Sequence, residues 1–292
     1  MASAADWIQA ARPKTLGAAV APVLVGTALG WRLGGEWHPW LAACTLLSCM
    51  ALQVATNWFN DALDAVKGAD TEQRVGPRRI TASGVVGASQ VMRAGVLMLL
   101  VAALFSLPLW WVRGWPILWI GIPSLYFCFG YTGGPVPLAY RGLGELFVIL
   151  FFGLVAVTGS AFVQSGTWHI EAVLAGLQVG CLSTVLIAIN NLRDRQEDSS
   201  TGKRTLAVRF GDTFARVEIV SLVLLPHLLG CYWLSRGLEW LFWWPLAVLL
   251  LGVVVVLRVM KGAAGMELNR LLGMSGGMLV LFSVLFVAAC LS

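Results

Sequence analysis

Nine apolar runs of about twenty residues follow one another along the chain, and they limit its fold more than any other feature. They cover approximately 15–32, 40–63, 91–112, 115–132, 143–164, 170–192, 217–235, 239–258 and 270–290. A helix of about twenty residues is about 30 Å long, the thickness of the hydrocarbon core of a bilayer. The runs are continuous and do not alternate with a period of two, so they predict helices and not barrel strands. The pattern predicts an all-α polytopic membrane protein.

The composition supports this class. Of the 292 residues, 58% are hydrophobic and 12% are charged, whereas soluble domains have about 45–50% and about 25%. An ordinary water-soluble enzyme and a disordered chain are therefore excluded. The six cysteines are scattered through or beside the apolar runs without a CxxC pair, which disfavours a disulfide framework or a zinc site. We predict a single integral-membrane domain over residues 1–292, surrounded by the lipid bilayer and binding no nucleic acid.

The distribution of charge predicts the orientation of the helices. With nine crossings, 17 of the 20 Lys and Arg residues lie on or beside one face, and the exceptions are Arg32, Arg113 and Arg236. The positive-inside rule makes the crowded face cytoplasmic. The N-terminus is then cytoplasmic, and an odd number of crossings places the C-terminus outside.

Two apolar runs end in polar stripes rich in carboxylates. The second run ends in Asn57, Asn60, Asp61 and Asp64, and the sixth ends in Asn190, Asp194 and Asp198. In each set the spacings of three and four residues place the side chains on one face of a helix. Both stripes are followed by loops with paired basic residues, among them Lys203 and Arg204.

The two stripes echo each other along the chain. Asn57 and Asn190 are 133 residues apart, and Asp61 and Asp194 have the same separation. We interpret this as a degenerate parallel repeat, with halves at about 11–142 and 143–258 and an extra helix at 270–290. Four crossings separate the stripes, so both emerge on the cytoplasmic face and are expected to face each other across a central cavity.

This arrangement predicts a particular chemistry. Carboxylates at a helix C-terminus oppose the helix dipole and repel one another, so they call for a counter-cation. Mg²⁺ takes oxygen ligands and shares them with phosphates. The pattern thus predicts diphosphate bound through Mg²⁺ and basic loops, with the apolar bundle around a hydrocarbon tail. The alternative from another class is a cation-coupled membrane transporter, whose charges usually lie near the bilayer midplane on broken helices.

At these residues the chain resembles the UbiA-type intramembrane prenyltransferases, which carry N-D-x-x-D-x-x-x-D after helix 2 and a D-x-x-x-D-type motif after helix 6, on nine helices. The first motif reads Asn60-Asp61-x-x-Asp64, with Gly68 in place of the third Asp and Asp70 displaced by two. This variant resembles the 1,4-dihydroxy-2-naphthoate polyprenyltransferase branch. Further resembling segments are Ala11 to Leu16, Tyr131 to Glu145, Phe151 to Gly153 and Asn190 to Leu206.

The resemblance implies nine helices around a central cavity in the bacterial cytoplasmic (inner) membrane, with an active site open to the cytoplasm. It implies Mg²⁺-dependent transfer of a polyprenyl group from a polyprenyl diphosphate to 1,4-dihydroxy-2-naphthoate, with decarboxylation to demethylmenaquinol. Homogentisate, 4-hydroxybenzoate and a porphyrin-type compound are alternative acceptors. The chain length of the donor and the oligomeric state stay open.

The resemblance also implies roles for individual residues. The catalytic residues are Asp61, Asp64, Asp194 and Asp198. These four bind the metal together with Asn57 and Asn190. The substrate-binding set is Asn57, Asn190, Arg12, Lys14, Lys203, Arg204, Tyr131, Tyr140 and Arg141. The alternative for this last set is structural: interhelical hydrogen bonds for the amides, topology charges for the basic residues and an interfacial belt for the tyrosines.

Overall fold

A computed structural model describes residues 2–68 and 79–292, and across these residues the chain is helical with no strand. The helices are α1 (Ala4–Ala10), α2 (Pro13–Gly34), α3 (Pro39–Val66), α4 (Ala88–Arg113), α5 (Trp115–Gly130), α6 (Gly144–Val148), α7 (Ala156–Ser165), α8 (Ile170–Arg193), α9 (Arg195–Ser200), α10 (Leu206–Ser235), α11 (Trp240–Leu246), α12 (Leu249–Met260) and α13 (Met266–Leu291). A π-helical segment, Ile149–Val155, joins α6 and α7 into one continuous helix, and Leu138–Tyr140 forms a 3-10 turn.

Each predicted apolar run is helical, although 143–164 covers α6, the π segment and α7, and 239–258 covers both α11 and α12, which confirms the all-helical membrane class. Within the described ranges, seven helices are long and apolar enough to cross a membrane. The pair α11 and α12, bent by 44°, forms an eighth candidate, and α5 is shorter, with 16 residues. The figure of nine crossings therefore stays a prediction.

One boundary differs clearly from the predicted run. The helix α10 begins at Leu206 and not near residue 217. Its first turns are amphipathic and carry charged side chains, so they do not register as an apolar run. Gly211, with φ of 86°, kinks the helix between this polar start and the apolar remainder.

Glycines allow three helices to pack backbone against backbone. A Cβ built on Gly26 of α2 would lie 2.3 Å from the carbonyl oxygen of Val157 on α7. A Cβ built on Gly30 of α2 would lie 2.4 Å from the carbonyl oxygen of Ala161, also on α7. A Cβ on Gly153, in the π segment, would lie 2.5 Å from the carbonyl oxygen of Gly176 on α8. Small residues at such positions let membrane helices approach closely. The helices α2, α6–α7 and α8 therefore form one tightly packed wall.

The main core lies where α8 meets α2, α10 and α13. Leu182 of α8, Trp233 of α10 and Phe282 of α13 are fully buried in one apolar cluster. A buried hydrogen bond from Trp233 Nε1 to Gln178 Oε1, 2.9 Å long, fixes α10 against α8. Because α8 is held on several sides, the polar stripe at its end has a defined position relative to α3.

Candidate active site

The end of α3, the segment after α9 and the loop between α5 and α6 meet at the carboxylate of Asp64, which is 3% exposed. Its Oδ2 accepts hydrogen bonds from Arg79 Nη2 at 3.0 Å and Lys203 Nζ at 3.3 Å. Its Oδ1 accepts from the hydroxyl of Tyr140 at 2.8 Å. Lys203 follows the second stripe, just beyond α9, and Tyr140 lies in the loop between α5 and α6. Three segments that are distant in sequence therefore converge on one carboxylate.

The loops around Asp64 also contact one another. The backbone N–H of Lys203 donates to the carbonyl of Asp198 at 2.9 Å, and that of Arg204 donates to the carbonyl of Tyr140 at 3.1 Å. The ammonium groups of Lys67 and Lys203 lie 4.1 Å and 5.2 Å from the centre of the Tyr140 ring. Two cations and a phenol thus surround the end of α3, as a site for an anion requires.

Asp61 lies one turn earlier on α3 and is 1% exposed. Its carboxylate accepts the backbone N–H groups of Ile80 at 3.2 Å and Thr81 at 3.0 Å. It therefore orders the segment that begins at residue 79, including Arg79 beside Asp64.

The second stripe is held by an arginine within it. Arg193 Nε and Nη2 donate to Oδ1 and Oδ2 of Asp194 at 2.7 Å and 2.6 Å. The same guanidinium donates to Oδ1 of Asn190 at 2.7 Å and to Oδ1 of Asn269, at the start of α13, at 2.6 Å. Both oxygens of Asp194 are therefore paired with one cation.

Asp198, the last carboxylate of the stripe, is also buried. Burial, reinforced by the carboxylates of Asp194, Glu197 and Asp64, raises its pKa to about 7, although the ammonium of Lys203 acts in the opposite direction. Burial also raises the pKa of Tyr131 well above its usual range, and the carboxylates of Glu145, Asp64 and Asp198 add to this shift. The ring of Tyr131, directly after α5, lies 5.2 Å from the ring of Phe147 on α6.

The two predicted asparagines hold neighbouring groups. Asn57 Nδ2 donates to the carbonyl of Ala11 at 2.8 Å and to Thr15 Oγ1 at 3.1 Å. Its Oδ1 accepts from Gln53 Nε2 at 3.3 Å. Asn57 thus connects α3 to the junction of α1 and α2, while Asn190 accepts a hydrogen bond from the guanidinium of Arg193.

The other predicted residues lie around the rim. Arg12 is the N-cap of α2 and has a left-handed backbone, with φ of 53°. Arg204 and Arg141 are exposed, and Arg141 Nη2 lies 3.4 Å from the carbonyl oxygen of Pro135. The side chain of Lys14 and the whole of Asp70 lie outside the described residues. The role of Lys14 in substrate binding therefore stays a prediction, and the role of Asp70 stays open.

Four residues of this region were not in the predicted set, and one of them is Arg193, which is bonded to Asp194. The other three are Arg79 and Lys67 beside Asp64, and Asn269 beside Arg193. Arg79 follows Arg78 in a basic pair after the first stripe, so its position along the chain was a signal for it. Asn269 had no such signal, because it lies 76 residues beyond Arg193.

The donor set fits a hard divalent cation in type, because the four aspartates offer only carboxylate oxygens. Within residues 2–68 and 79–292, no three acidic, histidine or cysteine side chains converge as a preformed metal site. Asp64 and Asp194 instead face basic side chains, and Asp61 faces backbone N–H groups. Metal binding would therefore exchange these partners for the cation.

An apolar cavity of about 150 Å³ lies inside the bundle below these carboxylates. The helices α2, α3, α4, α5 and α6–α7 line it, from Gln53 and Phe147 near the site to Leu109, Ile117 and Val163 at the far end. Phe147 and Val163 are separated by about four turns of this helix, so the cavity extends through much of the bundle. The arrangement offers a polar head site at the end of α3 and an apolar chamber along the same helix.

Comparison of the sequence with known proteins gives one consistent family. Residues 19–278 match the UbiA prenyltransferase family model. A protein of Mycobacterium leprae named 1,4-dihydroxy-2-naphthoate octaprenyltransferase is 33% identical, over 99% of this chain and 97% of its own length. The Escherichia coli protein of the same name is 38% identical, over 72% of this chain and 70% of its own length.

Solved structures share the fold. An apo UbiA homolog from Aeropyrum pernix K1 superposes with a TM-score of 0.76 at 15% identity, covering 95% of this chain and 98% of that one. A UbiA homolog from Archaeoglobus fulgidus, solved with DMAPP and Mg²⁺, superposes with a TM-score of 0.65 at 13% identity, over 97% and 99% of the two chains. The long match to the family model and the near-complete alignment with the mycobacterial relative identify this chain, an integral membrane protein, as a member of the UbiA prenyltransferase family.

Proposed function

We propose that this protein transfers a polyprenyl group from a polyprenyl diphosphate to 1,4-dihydroxy-2-naphthoate, with loss of the carboxylate as carbon dioxide, to form demethylmenaquinol. The observation that carries this proposal is the junction of Asp64, Lys203 and Tyr140 at the end of α3, the helix whose Gln53 and Thr56 line the apolar cavity. It fits a substrate with an anionic head and a hydrocarbon tail. The names of the bacterial relatives support the naphthoate as acceptor.

The four aspartates are the residues that would hold Mg²⁺, and Asn57 and Asn190 lie beside them as further oxygen donors. When bound, Mg²⁺ supplies positive charge that neutralises the departing diphosphate. The Archaeoglobus fulgidus homolog solved with DMAPP and Mg²⁺ supports this choice of ion. Lys203, Arg79 and Lys67 line the same junction, and their donors suit the diphosphate oxygens. Arg12, Lys14 and Arg204 are assigned to the rim of this anion site.

The acceptor side of the site is assigned to the loop between α5 and α6. Tyr131 packs against Phe147 of the cavity lining, Tyr140 is bonded to Asp64, and Arg141 is exposed at the rim. A phenol, a ring face and a guanidinium are suited to bind an aromatic acid. The charge distribution favours the cytoplasmic face of a bacterial inner membrane for this loop.

The cavity protects the reactive part of the donor. As the bond to diphosphate breaks, the allylic carbon becomes electron-poor and is attacked by the electron-rich naphthoate ring. Phe147, Phe151 and Phe152 line the upper cavity, so water has little access to this carbon. The far end of the cavity then accommodates the remaining isoprene units.

The direct test is turnover by the purified full chain in detergent. We expect diphosphate release and a prenylated, decarboxylated naphthol when geranylgeranyl to decaprenyl diphosphates are combined with 1,4-dihydroxy-2-naphthoate and Mg²⁺, and none after chelation with EDTA. Homogentisate and 4-hydroxybenzoate serve as comparison acceptors. Product from one of these alone would overturn the acceptor assignment, and absence of diphosphate release with every donor would favour a transporter.

The length of the cavity should set the length of the donor that the enzyme prefers. Gly121 of α5 lines the cavity, and a Cβ built there meets no atom within 4 Å. We expect Gly121→Leu to fill the middle of the chamber and to lower kcat/KM for long donors at least about tenfold relative to geranyl diphosphate. The measurement is kcat/KM across a series of donors of increasing length.

A matched control separates cavity filling from a general effect of the substitution. Gly277 lies on α13, outside the cavity lining, and a Cβ there also meets no atom within 4 Å. Gly277→Leu should leave the ratio of long-donor to short-donor kcat/KM unchanged. An unchanged ratio in Gly121→Leu as well would contradict the placement of the tail.

A further inference from the structure

The guanidinium of Arg193 forms hydrogen bonds both with Asp194 of the second aspartate motif and with residues outside that motif. Its side chain is 2% exposed and donates four hydrogen bonds of 2.6–2.7 Å. Two of them take both oxygens of Asp194, in the bidentate form that a guanidinium also makes with phosphate. The oxygens that a metal ion would use are therefore already paired with a residue of the same helix.

The remaining two hydrogen bonds show that Arg193 is fixed independently of Asp194. One goes to Asn190, a turn earlier on α8, and the other goes to Asn269 at the start of α13. A lone arginine at a helix C-terminus is explained by the helix dipole. The helix dipole does not explain why Asn269, from another helix, also accepts a hydrogen bond from Arg193. This hydrogen bond can hold the guanidinium in place even if Asp194 changes partner.

The energetics of a buried ion pair make such an exchange feasible. Desolvation offsets much of the attraction between two buried charges, so replacing one partner by another cation of suitable geometry costs little, whereas leaving a charge alone costs much. If a metal ion takes Asp194, the guanidinium must find another anion. The diphosphate that accompanies the metal is such an anion and suits its paired donors.

We propose that Arg193 is a built-in counter-cation of the site: it competes with the metal ion for Asp194 and, once displaced, binds the diphosphate while Asn269 keeps it in place. This inference rests on the proposed function for its substrate. It assigns to the start of α13 a positioning role in the site.

The proposal predicts effects of opposite sign for the metal alone and for the metal with a diphosphate. In Arg193→Gln, Mn²⁺ alone should bind the full chain in detergent about tenfold more tightly, because its competitor is gone. Inorganic pyrophosphate in the presence of Mn²⁺ should bind about tenfold more weakly, because one charge-assisted contact is lost. Free Mn²⁺ is measured by electron paramagnetic resonance, and pyrophosphate binding by calorimetry.

Arg216→Gln is the matched control. Arg216 also forms a two-point pair with an aspartate, Asp212, with Nε–Oδ2 and Nη2–Oδ1 distances of 2.6 Å and 3.3 Å, but on α10. It should change neither affinity. Asn269→Ala keeps the charge of Arg193 and loosens its anchor, so it should weaken pyrophosphate binding about threefold even if Arg193→Gln fails to fold.

The outcomes separate this inference from the proposed function. If Mn²⁺ binds Arg193→Gln with unchanged or lower affinity, Arg193 does not compete for Asp194 and the inference is wrong. Unchanged pyrophosphate affinity in both variants would overturn the diphosphate contact. If the predicted shifts occur in a protein that forms no prenylated naphthoate, the inference on metal and pyrophosphate stands and the proposed function fails.

Discussion

Asp64→Asn is expected to lower the rate of prenyl transfer by about 10²–10³-fold, as the loss of one electrostatic group at a reacting centre does. The amide keeps the size of the side chain but removes the charge that Arg79 and Lys203 face at 3.0 Å and 3.3 Å. It also removes one proposed metal ligand. The measurement is prenylated product per minute at saturating Mg²⁺, donor and acceptor.

Asp212→Asn is the control for this substitution. Asp212 is also an aspartate paired with an arginine, but it lies on α10 and contacts none of the site residues described above. We expect its rate within about twofold of the unaltered protein, since Arg216 keeps its hydrogen bonds to the carbonyls of Val259 and Ala263. Both variants are compared by circular dichroism and size exclusion. An Asp64→Asn protein that is folded and retains more than a tenth of the rate would contradict the central role of this carboxylate.

Gly30→Ala is expected to lower the free energy of unfolding by about 1–3 kcal/mol, the usual cost of overpacking. A Cβ at this position would lie 2.4 Å from the carbonyl oxygen and 2.7 Å from the Cα of Ala161. These are backbone atoms, so α2 and α7 must move apart along their whole contact. The measurement is unfolding in mixed micelles followed by tryptophan fluorescence.

The same substitution at Gly277 provides the comparison. Gly277 is an exposed glycine of α13 with no atom within 4 Å of a built Cβ. Gly277→Ala should leave stability unchanged or raise it by up to about 1 kcal/mol, because alanine favours a helix. Equal stability of Gly30→Ala and Gly277→Ala would show that α2 and α7 are not packed as closely as described.

The convergence of the two stripes follows from properties that the sequence displays. Helical spacing places Asp61 and Asp64 on one face of α3. Four crossings separate these residues from Asp194, and an even number brings Asp194 to the same end of the bundle. The contact of Lys203 with Asp64 agrees with this reasoning. The participation of Tyr140 agrees with it as well, since the loop between α5 and α6 lies at that end.

Other features of the site were beyond such reasoning. The spacing of Gly26 and Gly30 is visible in the sequence, but their partner helix is not. The pairing of Arg193 with Asp194 and the use of Asn57 to hold Ala11 depend on side-chain rotamers and on the angle between helices. The assignment of the four aspartates and two asparagines to a metal ion stays a prediction, as does the division into halves at 11–142 and 143–258.

Hydropathy and helical periodicity are properties of neighbouring residues, so the primary structure was sufficient for the membrane class, for the faces on which the carboxylates lie and for the resemblance to a family of prenyltransferases. Which cation meets which carboxylate, and where the bundle leaves an apolar chamber, depend on atoms contributed by segments more than a hundred residues apart, such as Asp64 and Lys203. Those choices are made by close packing, because the distance between two helices is set by every side chain between them. Three-dimensional coordinates were therefore needed to locate the chamber and to find Asn269 beside Arg193.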